Sequence, residues 1–188
     1  MTPEPDVTLR LLDGDQAAAH LDELRALYRE VYADPPYEWG DGHASLFAER
    51  FAVQRAQPGF ALAEARHGAE LAGYCFGVTL QPSTPWWQHL LTPLPEDVTT
   101  EHPGRTLAVV ELLVRAPWRR QHIAQAMHDM LLRNRPEQRA TLTVLPAAQP
   151  AQRAYAKWGW STVAQKRNPL PGSPVFDVLI KELKAPGS

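Results

Sequence analysis

A single cysteine, Cys75, excludes any intrachain disulfide. It sits in an apolar stretch, AGYCFGV, and reads as a buried core thiol rather than a nucleophile. Charge of one sign is also scarce. Nineteen Lys and Arg against 21 Asp and Glu leave a formal charge of −2, so there is no bulk electrostatic reason to expect nucleic acid or an anionic membrane as partner. No apolar run approaches the length of a membrane span. The opening MTPEPDVTL lacks the charged-then-apolar pattern of a signal peptide, so a cytoplasmic location is the default expectation. The histidines form no ligand spacing with Cys75, and no metal is expected. Internal repeats, low-complexity tracts and dividing linkers are all missing, and 188 residues suit one domain, 1–188.

What is present is a core. Hydrophobic residues make up 44% of the chain and include six Trp, enough for a sizeable apolar interior. Val7 to Leu12 alternates as a first strand, and Asp13 or Asp15 can cap a helix from about Gln16 to Tyr32, ended by Pro35 and Pro36. The segment Tyr32 to Gly42, YADPPYEWGDG, is an aromatic and acidic loop, either a surface connection or a pocket wall. Ser45 caps a second helix that Pro58-Gly59 stops. Phe60–Arg66 and Leu71–Leu80 flank the turn His67-Gly68 as a hairpin.

An unusual insertion follows at about 82–105, with five prolines and the pair Trp86-Trp87. A connection this long between strands suits a lid or binding loop. Adjacent residues in extended chain face opposite sides, so one Trp is expected to pack inward and the other to reach a ligand or partner; alternatively both pin the insertion to the body. Ala140–Leu145 is a further strand. Pro150 opens a helix that carries Ala151, Ala154, Tyr155 and Trp158 on one face and stops at Gly159. Trp160–Gln165 and Val175–Ile180 are the last strands.

The stretch that organises the chain is Thr106 to Arg133, TLAVVELLVRAPWRRQHIAQAMHDMLLR. Leu107 to Val114 is apolar except for Glu111, which suits a strand covered on both faces. From Arg120 a helical period takes over, with Ile123, Met127, Met130 and Leu131 on one face. A strand feeding a helix N-terminus presents free N–H groups and a positive dipole end, and Arg119 and Arg120 add two charges. That combination suits an anion, with a diphosphate the natural guest.

These residues resemble the GNAT superfamily of acyl-CoA-dependent N-acyltransferases. The family's leading motif is Arg or Gln, two residues, Gly, one residue, then Gly or Ala, between a strand and a helix. Arg119-Arg120-Gln121-His122-Ile123-Ala124 fills that place, after the matching lead LLVRAPW. The family's second motif, Asn, Ala three later, Tyr seven later and then Gly-aromatic, is matched by Ala151, Tyr155 and Gly159-Trp160. The resemblance implies an α/β (α+β) fold: a single mixed, mostly antiparallel sheet of six to seven strands with splayed central strands and about four helices. It also implies acetyl-CoA as co-substrate. Backbone N–H groups of Arg119, Arg120, Gln121, His122, Ile123 and Ala124 would hold the diphosphate. The pantetheine arm would pair with backbone at Leu112, Leu113 and Val114. Two positions depart from the pattern. His122 replaces the first glycine, and either tilts outward, the favoured reading, or contributes a cation. Ala148 replaces the Asn, with loss of one hydrogen bond worth about 0.5–1.5 kcal/mol.

Chemistry narrows the roles. Resemblance gives Tyr155 the part of general acid to the leaving thiolate; the plain alternative is a core aromatic. Glu111 is the only charge inside a strand that otherwise reads as buried, which makes it a candidate base with a raised pKa, or else a structurally paired carboxylate. His43, His89 and His102 are further candidate bases in loops. Tyr37, Trp39, Trp86 and Trp87 are candidate acceptor-binding residues, because acidic and aromatic loops suit a cationic amine. The expected reaction is acetyl transfer to a primary amine of a small molecule. Acetylation of a protein lysine or N-terminus and a non-catalytic acyl-CoA-binding module are the alternatives, and a homodimer stays open.

Overall fold

A computed structural model describes residues 6–183; the ends of the predicted domain, 1–5 and 184–188, lie outside the described residues. The elements run β1 (Val7–Leu12), α1 (Gly14–Ala18), α2 (Leu21–Tyr32), α3 (Asp41–Gln54), β2 (Ala61–His67), β3 (Glu70–Thr79), α4 (Glu96–Thr99), β4 (Thr106–Val114), a 3-10 turn (Ala116–Trp118), α5 (Ile123–Leu132), β5 (Arg139–Val144), α6 (Gln149–Lys157), β6 (Ser161–Arg167) and β7 (Val175–Glu182). The seven strands form one mixed sheet in the order β1-β2-β3-β4-β5-β7-β6. β1–β2–β3 and β5–β7–β6 pair antiparallel. β4 and β5 pair in parallel, from Thr106 with Arg139 to Ala108 with Thr141, where the ladder ends. A parallel pair needs a long crossover, and α5 lies within it.

The elements gather into two compact units, one drawn from Met1–Val78 and Val109–Arg135, the other from Thr79–Ala108 and Pro136–Ser188, as far as the described residues run. The first unit has an aromatic core. Tyr28, Phe47, Phe51, Tyr74 and Phe76 are buried there with Leu24, Leu27, Leu62 and Leu113. Tyr28 stacks on Phe47 at 4.6 Å between centroids, and Phe51 meets Phe76 edge-on at 5.4 Å. α5 packs on β1 and β2, with Ile123, Met127 and Leu131 fully buried. Met130, expected on that face, is only half-buried, and the neighbouring turn buries His128 instead. Cys75 is a buried free thiol on β3, and burial pushes its pKa up, so it is held as the neutral thiol.

The second unit is pinned by a buried polar knot. Glu101 Oε1 accepts from Trp87 Nε1 (2.9 Å), Thr106 Oγ1 (2.9 Å) and Arg139 Nη2 (3.0 Å). Arg139 also reaches Thr106 Oγ1 through Nε at 2.9 Å. The insertion, read from sequence as a lid or binding loop, is thus tied to β4 and β5 through Glu101.

Several boundaries move. There are six helices among the described residues rather than about four. The predicted helix 16–32 is two pieces: an Asp13–Gln16 capping box starts α1, and the chain turns at Ala19 and His20 before α2. The second helix starts at Asp41 rather than Ser45, with Gly40 in extended conformation at its N-cap. A single helical turn, α4, forms inside the insertion. The strand at 107–114 is not covered on both faces throughout, because Val110, Glu111 and Leu112 keep part of their surface.

Close approach of β3 to β4 rests on Gly73. A Cβ there would lie 2.6 Å from the Leu113 carbonyl oxygen and 3.0 Å from Met127 Cε. The methionine end can swing away, but the backbone carbonyl cannot. Gly73→Ala is therefore expected to destabilise the protein by about 1–3 kcal/mol, as overpacking does, read as a lower midpoint in denaturant; an unchanged midpoint would show that the strands separate freely.

Candidate active site

In the first unit, the sequence carries a carboxylate into an aromatic layer. Glu111 lies on β4, and Tyr32, the last residue of α2, donates its hydroxyl to Glu111 Oε2 at 2.6 Å. The Tyr32 ring is flanked by Tyr28 (4.5 Å), Trp39 (4.6 Å) and Tyr37 (4.7 Å), and Trp39 is stacked by His43 at 5.0 Å. The loop 33–40 thus brings Tyr37 and Trp39 together around Tyr32. Burial pushes the Glu111 pKa up to about 7, while the Tyr32 hydrogen bond and the Arg50 charge pull the other way. A carboxylate in that range exchanges protons near neutral pH, which suits general-base work.

Glu111 is not the only acid buried in a strand, which corrects the reading from sequence. Glu64 on β2 is fully buried. Its partners are guanidinium groups: Arg10 bonds Oε1, and Arg66 Nε sits 3.0 Å from Oε2. Glu64 is locked by two cations, whereas Glu111 has a neutral hydroxyl. The residue that sequence reasoning missed is Tyr32. The available signal was that Tyr28 and Tyr32, four apart, continue the apolar stripe of α2 to its last turn, where a half-buried phenol needs a hydrogen-bond partner.

The far end of β4 leads into the loop 119–124. α5 begins at Ile123, three residues later than predicted, because Arg120 (φ 64°) and His122 (φ 59°) are both left-handed. No side chain caps the helix, and its first backbone bond runs from Ala126 N–H to His122 C=O. The N–H groups of Ile123, Ala124 and Gln125 therefore have no acceptor within the helix, the arrangement that suits an anion. Arg120 is exposed beside them. Arg119 is used differently from the sequence expectation: its Nε donates to the Val114 carbonyl at 3.0 Å. Leu113 C=O faces Gly73 and Arg115 N–H bonds Ala72 C=O, so at this end of β4 residues 113 and 115 point their backbone groups toward β3. By strand alternation Leu112 and Val114 face the other edge. With the Val114 carbonyl taken, the Leu112 N–H and C=O and the Val114 N–H are the groups an added ligand strand could meet, and Leu113 is turned away.

In the second unit, Tyr155 lies on α6, 9% exposed, with Trp158 and Trp160 edge-on to its ring at 5.8 and 5.9 Å. Ala148 is the buried N-cap of α6 and supplies no side-chain cap. Both insertion tryptophans are anchored, which is the second of the two readings the sequence offered, that both pin the insertion to the body. Trp86 Nε1 donates to Thr141 Oγ1 at 3.3 Å, and Lys166 Nζ lies 5.5 Å from its ring centre. Trp87 Nε1 goes to Glu101, with Arg139 over its ring at 5.2 Å. Each indole N–H is spent on a partner that the fold already holds. Among the described residues no group of three His, Cys, Asp or Glu could hold a metal ion, and no helix is long and apolar enough to cross a membrane.

Comparison with known proteins agrees with this architecture. The structure aligns with the ribosomal-protein-S18-alanine N-acetyltransferase of Escherichia coli over 97% of each chain, at 13% identity and TM-score 0.63. It aligns with Arabidopsis thaliana NAA60, solved with a bisubstrate analogue, over 95% of this chain and 99% of that one, at 14% identity and TM-score 0.65. PaiA N-acetyltransferase of Thermoplasma acidophilum, solved with coenzyme A, aligns over 94% and 98%, at 11% identity and TM-score 0.61. No curated protein sequence matches. The model of the acetyltransferase (GNAT) family matches residues 24–160, and the chain belongs to that family.

The raised Glu111 pKa has a consequence for stability. The fold favours the protonated form, so the group's contribution is present below its ordinary value of 4.5 and is lost as pH rises through about 7. Glu111→Gln, neutral at every pH, should therefore be more stable than the parent at pH 8.5 by about 1–3 kcal/mol and equal to it near pH 4. Denaturant midpoints at the two pH values check this; the same difference at both would refute it.

Proposed function

We propose that this chain transfers an acetyl group from acetyl-CoA to the primary amine of a small molecule, by direct attack of the amine on the thioester. The observation that carries this reading is a carboxylate held by one neutral hydroxyl donor, Glu111 with Tyr32, on the same strand that leads into the anion-suited loop 119–124. Family membership supports acetyl transfer as the reaction class. The open N–H groups at the start of α5 and the charge of Arg120 fit a diphosphate, and the Leu112 and Val114 backbone groups fit an amide-bearing arm.

In this reading Glu111 takes the proton that the ammonium must lose before its nitrogen lone pair can attack. Acetyl-CoA supplies the activated carbonyl. As the nitrogen–carbon bond forms and the carbon–sulfur bond breaks, Tyr155 gives its proton to the departing sulfur, and the nitrogen's second proton returns the phenolate to phenol directly or through solvent, leaving the neutral amide and the free thiol. Half-buried Tyr37 and the Glu111 charge make a setting that suits a cationic acceptor, with Trp39, stacked by His43, backing that wall. Trp86 and Trp87 hold the insertion in place, and a role in binding the acceptor would be through their ring faces alone.

Incubation with acetyl-CoA and a panel of amines, peptide N-termini and lysine peptides, with thiol release followed, tests the reading. Turnover is expected with a small amine. Turnover with peptide N-termini or lysine alone would move the acceptor to protein, and coenzyme A binding without turnover of any amine would make the chain a binding module. Glu111→Gln should remove the limb of the pH–rate profile near pH 7 and lower the rate by about 10²-fold, and Tyr155→Phe should lower it by a similar factor. Tyr155→Phe with unchanged turnover at every pH would remove the general-acid assignment.

A further inference from the structure

We propose that Tyr32 is a positioning residue for Glu111, and that the aromatic loop 33–40 serves to hold Tyr32 against that carboxylate. This rests on the reading of Glu111 as base. The geometry is a short chain of support. The Tyr32 hydroxyl meets Glu111 Oε2 at 2.6 Å. Its ring is touched by three others, with Tyr28 at 61°, Tyr37 at 80° and Trp39 at 33° between planes. The loop closes on itself, since Trp39 N–H bonds the Tyr32 carbonyl at 2.7 Å and Tyr37 N–H bonds the Asp34 carbonyl at 3.1 Å. His43, at the start of α3, stacks on the outer side of Trp39 with the planes 8° apart. A ring fixed on this many sides leaves its hydroxyl little freedom, so it also fixes the carboxylate. One carboxylate oxygen is committed to Tyr32, and the other is left to take a proton.

The surroundings of Glu111 explain why a phenol suits the place. The groups that face it are Tyr28 and Tyr32 from α2, Tyr37 from the loop, Arg50 from α3, and Tyr74 and Cys75 from β3. All but Arg50 are neutral near pH 7, as phenols and thiols ordinarily are, and burial and the Glu111 charge raise their pKa values further. A second guanidinium in contact, as at Glu64, would hold the carboxylate charged and salt-bridged, and so unreactive. With no donor at all, burial would carry it further toward the neutral acid. The Tyr32 hydroxyl lowers the pKa without supplying a counter-charge. The apparent acceptor wall is thus in part the mounting of the base.

Tyr32→Phe tests this with two readouts. The first is titration of the Glu111 side-chain carbon by 13C NMR in protein labelled at glutamate, with the signal assigned by its loss in Glu111→Gln; this needs no turnover. The second is the pH–rate profile with acetyl-CoA and the amine found by the panel. Loss of the hydrogen bond should move the titration midpoint and the rising limb together to higher pH by about one pH unit. The rate should then fall about ten-fold at pH 6 and stay within about two-fold of the parent at pH 9. Trp39→Leu leaves the hydroxyl but removes a flanking ring, and should move both in the same direction by less.

A uniform fall in rate at all pH values, with the midpoint unmoved, would overturn the proposal and make Tyr32 a structural or acceptor-contacting residue. A midpoint that moves while the limb stays would instead remove Glu111 as base, and with it the catalytic role of Tyr32. A Trp39→Leu protein with both readouts at parent values would overturn the part assigned to the loop.

Discussion

A carboxylate carried by an apolar strand into an aromatic layer has to be compensated, and the compensation found for Glu111 is a single phenolic hydroxyl. Most of the first unit can be understood from that constraint. α2 ends where its last tyrosine can reach β4. The loop after it returns an aromatic pair, Tyr37 and Trp39, around that tyrosine. α3 contributes Phe47 behind Tyr28 and the charge of Arg50. These contacts are individually worth about 0.5–1.5 kcal/mol beyond the area they bury. Together they define one geometry for an acid that burial alone would leave protonated.

Glu64, Glu101 and Glu111 receive three different treatments. Glu64 is clamped by two guanidinium groups, which fixes it as a structural charge. Glu101 is the centre of a knot of one cation, one hydroxyl and one indole, and its work is to hold the insertion on the sheet strands of its unit. Glu111 meets only a neutral donor and keeps some accessible surface. Glu64 and Glu101 each have a guanidinium in contact, whereas the one hydrogen-bond donor to Glu111 is a neutral hydroxyl. The apolar run around Glu111 marked it in the sequence, but the partners that set it apart from Glu64 and Glu101 are distant in the chain and had no local sign.

The parts legible in the sequence were those in which a local pattern decides the outcome. β4 and α5 follow from a continuous apolar run replaced by a helical period, and the hairpin β2–β3 follows from two runs across His67-Gly68. Gly159, at positive φ, stops its helix as expected of such a residue. The parts that stayed illegible depend on partners distant in the chain. Tyr32 and Glu111 are 79 positions apart. For the tryptophan pair the sequence left two readings open, one indole in and one out or both pinning the insertion; the segment is not a strand, alternation does not apply, and each indole found its own partner. Glu64 was passed over because FALAEAR reads as an ordinary amphipathic strand, and only the folded hairpin shows its face to be buried.

The loop before α5 shows what glycine would have supplied, and what its absence reveals. In the sequence His122 stood out as the residue in place of the pattern's first glycine, with a side chain that tilts outward or adds a cation. The backbone adds a second demand, since His122 and Arg120 both stand in the left-handed region. That region disfavours residues with a Cβ by about 1 kcal/mol or more, although histidine visits it more readily than most. A chain under no constraint would relax both residues into a right-handed turn and extend α5 backward, which is what the helical period from Arg120 suggests on its own. The conformation kept instead ends the helix at Ile123 and leaves three N–H groups without helical acceptors. Strain retained at a helix start that is also uncapped is difficult to explain by stability, because each feature costs free energy. The two together are explicable if the loop's shape is what the chain is built to present.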